Sequence, residues 1–174
     1  MVAALLATPL KPALAVQAPD TSVAHARQAF DFLIGSWRVA SRISGDSVIE
    51  SSGETYRFKK ALDGVVIDGF WRFNRGSPDQ PDWTDAVYYS AFDPTSLTWS
   101  FYYISPRSAQ YWPGRKSGGR WYFSQTFTLD GKAMLQRQWW EPVNDSTVHR
   151  HIDNSSDGGA TWTPFTVVLR RQTR

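Results

Sequence analysis

From Ser36 onward the chain is a succession of short runs in which apolar and polar residues alternate, separated by turn signals and uninterrupted by any helical periodicity. Ten such runs are predicted as strands: 37–43, 48–60 with Gly53 as a bulge, 65–74, 86–92, 98–104, 109–112 ending at Pro113-Gly114, 119–129, 132–141, 147–154 and 162–171. Asp130-Gly131 is the strongest hairpin signal, and Asp93-Pro94-Thr95-Ser96 reads as a type I turn. Ten sequential antiparallel strands in an open sheet would leave both edges unpaired. The predicted fold is therefore all-β: an up-and-down antiparallel barrel of about ten strands with room inside for a small ligand, and a two-sheet sandwich as its rival.

Aromatic residues sharpen that reading. Nine Trp, seven Tyr and ten Phe make 15% of the chain, more than the core of one small domain requires and suited to a lined cavity; packing between sheet layers is the simpler use of the same rings. The net charge is +3, and the basic residues are scattered over the strands apart from three arginines in the last five positions. A surface that tracks phosphates needs clustered charge, so no nucleic-acid partner is expected. Without cysteine there is no disulfide, thiol nucleophile or thiolate metal site.

Residues 1–29 read as a leader with a short helix, and 30–174 as the barrel domain. The opening MVAALLATPLKPALAVQA resembles a secretory signal with small-residue cleavage sites at Ala13-Leu14-Ala15 and Val16-Gln17-Ala18, although it lacks a charged start and Pro9 and Pro12 interrupt the apolar run. Export to the periplasm or beyond is the expectation. No other stretch approaches the roughly 18 apolar residues of a membrane span. Asp20 or Ser22 is expected to cap a helix over 23–32, with Phe30, Leu33 and Ile34 closing one end of the barrel. His25 on that helix reads as a surface residue.

The segment FDFLIGSWRV, 30–39, carries a Gly35-Ser36-Trp37 triplet at the start of the first strand, and Arg170-Arg171 stand in the last. Together with the ten-strand meander these residues resemble the calycin superfamily, whose first-strand tryptophan packs beneath a last-strand arginine. FDFLIGSW and the later SSDGGATW most resemble bacterial lipocalin-like domains of unknown function, distant relatives of the nitrobindins. Nitrobindins hold haem through a histidine of the final strand. Here that strand, WTPFTVVLRRQ, has none, so no cofactor is expected. Ser155 to Trp162 also fits the Asp-box pattern of sialidase propellers, where the aspartate and serine satisfy turn amides; a single copy stabilises a turn and makes no glycosidase.

Several residues are candidates for chemistry. Asp68, Phe70 and Arg72 alternate onto one strand face, the two charges about 13 Å apart. If that face lines the cavity the charges need partners, and Arg57, Tyr88, Tyr102 and Arg137 are those expected across the barrel. His149 and His151 share a face with Asp153, opposite Val148, Arg150 and Ile152; a polar outer surface is the simplest account, and acid–base use is the alternative. A metal would need a third ligand, and none is compelling. Arg137, between Leu135 and Trp139, reads as a guanidinium inside the cavity or stacked on Trp139.

No nucleophile elbow, phosphate loop or metalloprotease motif is present. The expected function is binding of a small aromatic or otherwise hydrophobic anion by Arg57, Phe70, Arg72, Tyr88, Arg137 and Trp139. The alternative is a cofactor-independent lyase, isomerase or cyclase in which Asp68, Tyr102, His149 or His151 moves a proton. A third possibility is a structural or interaction protein whose barrel is filled by its own rings. A lone buried arginine with only hydroxyl neighbours would favour binding, whereas an acid converging with a tyrosine or histidine would favour catalysis.

Overall fold

The computed structural model describes residues 21–50, 53–77 and 79–173. A short helix α1 (Thr21–Arg27) and a single 3-10 turn (Asp31–Leu33) precede eleven strands: β1 (Gly35–Ser44), β2 (Ser47–Glu50), β3 (Thr55–Ala61), β4 (Val66–Asn74), β5 (Trp83–Asp93), β6 (Thr98–Ser105), β7 (Ser108–Ser117), β8 (Arg120–Leu129), β9 (Lys132–Asn144), β10 (Thr147–Ser155) and β11 (Thr163–Arg171). From β3 to β11 each strand pairs antiparallel with the next, and β11 returns to β1. Because β2 pairs with 41–44 of β1 and β3 with 35–38, the two occupy one position in the wall, as a bulged strand over 48–60 would. The result is a closed barrel of ten strands, with each strand from β3 to β11 flanked by a partner on both sides.

Two boundaries differ from expectation. The sixth strand does not stop at Pro113-Gly114: β7 pairs with β6 up to Pro113 and with β8 from Gly114 onward. Proline has no N–H to give a ladder, so the change of partner falls where one bond is missing in any case. The β7–β8 ladder is thus only four pairs long, from Gly114↔Phe123 to Ser117↔Arg120, and the wall splays between the start of β7 and the end of β8. At the N-terminus, the predicted helix over 23–32 is split into α1 and the 3-10 turn. The signal-like segment and Asp20 lie outside the described residues. No helix among those described is long and apolar enough to cross a membrane.

One end of the barrel is plugged. Phe30 and Leu33 are buried, and the Phe30 ring meets Trp99 edge-on at 5.2 Å and Phe123 at 5.7 Å. Trp37 Nε1 donates to the Leu33 carbonyl at 2.7 Å and Trp99 Nε1 to that of Ala26 at 2.9 Å, so the indoles are both packed and satisfied. Over Trp37, at 4.2 Å from the ring centroid, lies the Arg171 guanidinium, which donates to the carbonyls of Ile34 (2.8 Å), Phe32 (3.2 Å) and Asp145 (2.8 Å). A Cβ on Gly35 would come within 2.5 Å of Arg171 Nη1, and its φ is +131°; only glycine fits the arginine there.

Inside, alternation places Tyr56 and Phe58 of β3 against Ile67, Trp71 and Phe73 of β4. Gly69 takes the inward position between them, because a Cβ would stand 2.7 Å from the Phe58 ring and 3.1 Å from Tyr88 Cβ. That missing side chain is what lets rings from both neighbouring strands cross above β4.

Candidate ligand-binding site

Charge inside a barrel must be neutralised or hydrogen-bonded, since stripping water from an ion costs several kcal/mol. The interior holds one charged group treated differently from the rest. Arg150, projecting inward from β10 between Val148 and Ile152, is 8% exposed. Its Nε and Nη2 donate to Gln138 Oε1 at 2.9 and 2.7 Å, and its Nη1 to the hydroxyls of Tyr56 (3.0 Å) and Tyr88 (3.2 Å). The guanidinium lies 5.5 Å from the Tyr88 ring centroid and 5.3 Å from that of Trp140. Among the described residues it has no carboxylate partner.

A second inward cation shows the contrast. Arg42 pairs with the buried carboxylate of Glu54, which also accepts from Trp71 Nε1 at 3.3 Å. That acid is engaged by its own cation, leaving Arg150 with phenols and an amide. Burial raises the pKa of Tyr56, and raises that of Tyr88 further, against the lowering influence of Arg150 in both cases. Burial also works against the charge on Arg150, but the oxygens of Tyr88 and Tyr56 outweigh it and hold the guanidinium pKa above its ordinary value. At neutral pH the cluster is one cation among neutral phenols.

Its donors outnumber its acceptors. Arginine has only N–H groups to offer, so Gln138 must turn Oε1 toward it and its amide nitrogen away. That nitrogen, on a residue with 0% exposure, has no hydrogen-bond partner. Around the cluster Tyr56 stacks on Trp71 at 5.4 Å and 8°, Trp71 on Phe73 at 3.9 Å, and Tyr88 on Phe101 at 5.0 Å. Trp71, Tyr103, Ile152 and Phe165 are only partly buried although they pack on the core, which marks the more open side of the interior. Polar amides join them there: Gln136 Nε2 donates to Asn154 at 2.6 Å, and Gln125 Nε2 reaches Gln110 at 3.3 Å across the splayed β7–β8 wall. A depression of about 410 Å³, lined by residues including Tyr111, Gln125 and Leu135, opens at that gap.

Of the residues singled out from sequence, only Tyr88 is in this cluster. Asp68, Phe70 and Arg72 face outward, because Ile67, Trp71 and Phe73 claim the inner face of β4. Asp68 pairs with Lys59 at 3.1 Å, Arg72 lies over Trp83, and Arg57 lies over Phe70. Tyr102 is 40% exposed and rests against Tyr111. Arg137 is likewise on the outer face: it pairs with Asp153 at 2.9 Å and covers the Trp162 ring at 4.0 Å, nearer than Trp139 at 6.0 Å. Gln138 and Trp140 take the inward positions of β9 instead.

Trp139 stacks on His151 at 4.7 Å on the outer face. His151 bonds Glu141 (2.9 Å) and Thr166 (3.1 Å), and His149 meets its ring edge-on. Burial, then the charge of His151, lowers the His149 pKa. No group of three or more metal-ligating side chains occurs among the described residues. The Asp-box segment does what the sequence implies for it: Asp157 accepts from the Thr161 amide and hydroxyl, and Ser155 Oγ from the Gly159 amide.

Arg150, Tyr56, Gln138 and Trp71 are absent from the sequence-derived candidates. One signal was available. An arginine between Val148 and Ile152, on the apolar face of its strand, has to be buried if that face is.

No protein-family model matches the chain, and no curated protein matches it. Among solved structures the barrel is similar to the S-type phycobiliprotein lyase CpeS from Guillardia theta, with a TM-score of 0.50 and 13% identity over 90% of this chain and 99% of that one. It is similar as well to Rv2717c from M. tuberculosis, with a TM-score of 0.51 and 13% identity over 85% of this chain and 98% of that one. At that identity the likeness is one of fold: the calycin-like barrel is shared, and these two neighbours do not support the finer resemblance to the nitrobindins.

Proposed function

We propose that this barrel binds a small hydrophobic or aromatic anion in its interior, with Arg150 as the charge it is held by. The observation that carries the reading is a buried guanidinium whose described partners are two phenols and an amide, with no carboxylate. A cation left in that state is a standing cost to the empty protein and a ready source of affinity for an anion that arrives with its own apolar body. Trp71, Tyr103 and Phe165 supply the wall such a body would lie against.

Catalysis has less support. One structural neighbour is named a phycobiliprotein lyase, and a lyase on this scaffold would need a group that moves a proton beside the ligand. Asp68, His149 and His151 are on the outer face, burial keeps Tyr56 and Tyr88 protonated, and the interior carboxylate of Glu54 is already paired with Arg42, so around Arg150 the described residues offer hydrogen-bond donors without a free base. The rival with an observation of its own is the filled barrel, favoured by the continuous stack Phe58–Tyr56–Trp71–Phe73.

Native mass spectrometry of protein from its own host, followed by tryptophan-fluorescence titration of the stripped protein with aromatic acids, phenols and fatty acids, tests the reading. A complex of one ligand per chain, weakened at least about tenfold in Arg150→Met, is the expected result. An empty protein whose fluorescence ignores the whole panel would overturn binding in favour of the filled barrel.

A further inference from the structure

We infer that the ligand is a planar monocarboxylate that enters carboxylate-first, and that Gln138 is the residue that selects the carboxylate over other head groups. This rests on the binding reading above and concerns the same site.

Charge balance limits the head group first. The cluster carries a single positive charge, with both phenols neutral and the Glu54 carboxylate already paired to Arg42. A monoanion brings it to neutrality, whereas a dianion such as a phosphate monoester leaves a negative charge in a ring-lined interior. A neutral amide or alcohol leaves the positive charge where it is.

Donor count limits it further. The guanidinium has five N–H groups, and four are spent on Gln138, Tyr56 and Tyr88. The fifth, on Nη2, and both amide N–H groups of Gln138 are free. Since Gln138 Oε1 accepts from both Nε and Nη2, the unpartnered amide nitrogen bonded to the same carbon is held beside the guanidinium. Two donor groups side by side fit two acceptor oxygens on one carbon, which a carboxylate has and a phenolate lacks. Flatness follows from the stacked rings of Tyr56, Trp71 and Phe73. The Gln110, Gln125, Gln136 and Asn154 amides leave the far end of the ligand free to be polar.

The test uses one ring with four head groups: 2-naphthoate, 2-naphthol, 2-naphthamide and 2-naphthyl phosphate, titrated by tryptophan fluorescence into the wild-type protein, Gln138→Met and Gln138→Glu. In wild type, 2-naphthoate is expected to bind at least about tenfold more tightly than each of the others. Gln138→Met removes that preference, naphthoate affinity falling to within about threefold of the naphthol affinity measured in the same variant. Gln138→Glu supplies the missing counter-ion: it is expected to abolish naphthoate binding and raise the melting temperature, so loss of binding is not loss of fold. Equal binding of all four compounds, tightest binding of the phosphate, or a carboxylate preference that survives both variants would overturn the inference and leave the binding reading standing. Binding of none of the four in wild type would overturn both.

Discussion

Arg171 and Arg150 each lie against a tryptophan inside the same barrel, and the two regions around them are built to opposite ends. At the plugged end, Arg171 gives its N–H groups to three backbone carbonyls and covers Trp37, with Gly35 cut away to admit it. Each polar atom named there is satisfied, and the arginine fastens the last strand to the first. In the interior cluster, Arg150 meets phenols and an amide, keeps one N–H free, and leaves the buried amide nitrogen of Gln138 without a partner. One arrangement closes a fold; the other leaves donors unspent. An aromatic–arginine contact does not by itself reveal which of these it is; the acceptors do.

The comparison can be broken most directly at the plug. Trp37→Ala removes a fully buried ring and its hydrogen bond and is expected to cost about 3–5 kcal/mol of stability, read from urea unfolding. A loss below about 1 kcal/mol would mean that the barrel is not fastened there. Arg171→Met is expected to cost about 2 kcal/mol while leaving naphthoate affinity within about threefold; a large affinity change would erase the distinction between the two arginines.

Tyr88→Phe reverses the pattern. It removes one acceptor from Arg150 without removing the ring and leaves a second guanidinium N–H for the ligand, so stability falls by about 1–2 kcal/mol while naphthoate affinity rises about threefold or more. Should stability collapse and affinity hold, the cluster would be structural.

The smallest effect concerns pH. Burial raises the phenols, and the guanidinium is held above its ordinary pKa, so no group of the cluster changes charge between pH 6 and 9, and naphthoate affinity is expected to be flat over that range. His149, on the outside, has a folded pKa below its unfolded value of about 6.5. Its contribution to stability is therefore present above the unfolded pKa and lost as pH falls through the folded one. An NMR titration should find its midpoint below about 6.5. Affinity that tracked that midpoint would bring the outer histidines into the site.

The architecture was written locally. Alternating runs, Asp130-Gly131 and Asp93-Pro94 turns, and the Gly53 break in a long second strand act through neighbours a few residues away, and the barrel contains each of them. At Pro113-Gly114 the structure has a change of partner where the sequence predicts an end, because a missing N–H marks either and local sequence does not say which.

The candidate site was legible in one residue, Tyr88. Period-two alternation sorts a strand into two faces and is silent on which one points inward. On β4 the choice lay between Asp68, Phe70 and Arg72 and a face holding Ile67, Gly69, Trp71 and Phe73, each carrying an aromatic ring. What decided it was closure: only a face that can leave Gly69 empty for the Phe58 and Tyr88 rings fits inside a ten-stranded wall. Arg150, Gln138, Tyr56 and Tyr88 come from four strands up to 94 positions apart, and sequence holds no record of their meeting. The chain by itself determined that a barrel would form and that it would be rich in rings, because propensity and turn chemistry are local. Which arginine would be left without a counter-ion was settled only when the barrel closed, because that depends on which side chains are brought within 3 Å of one another from strands that share no sequence neighbourhood.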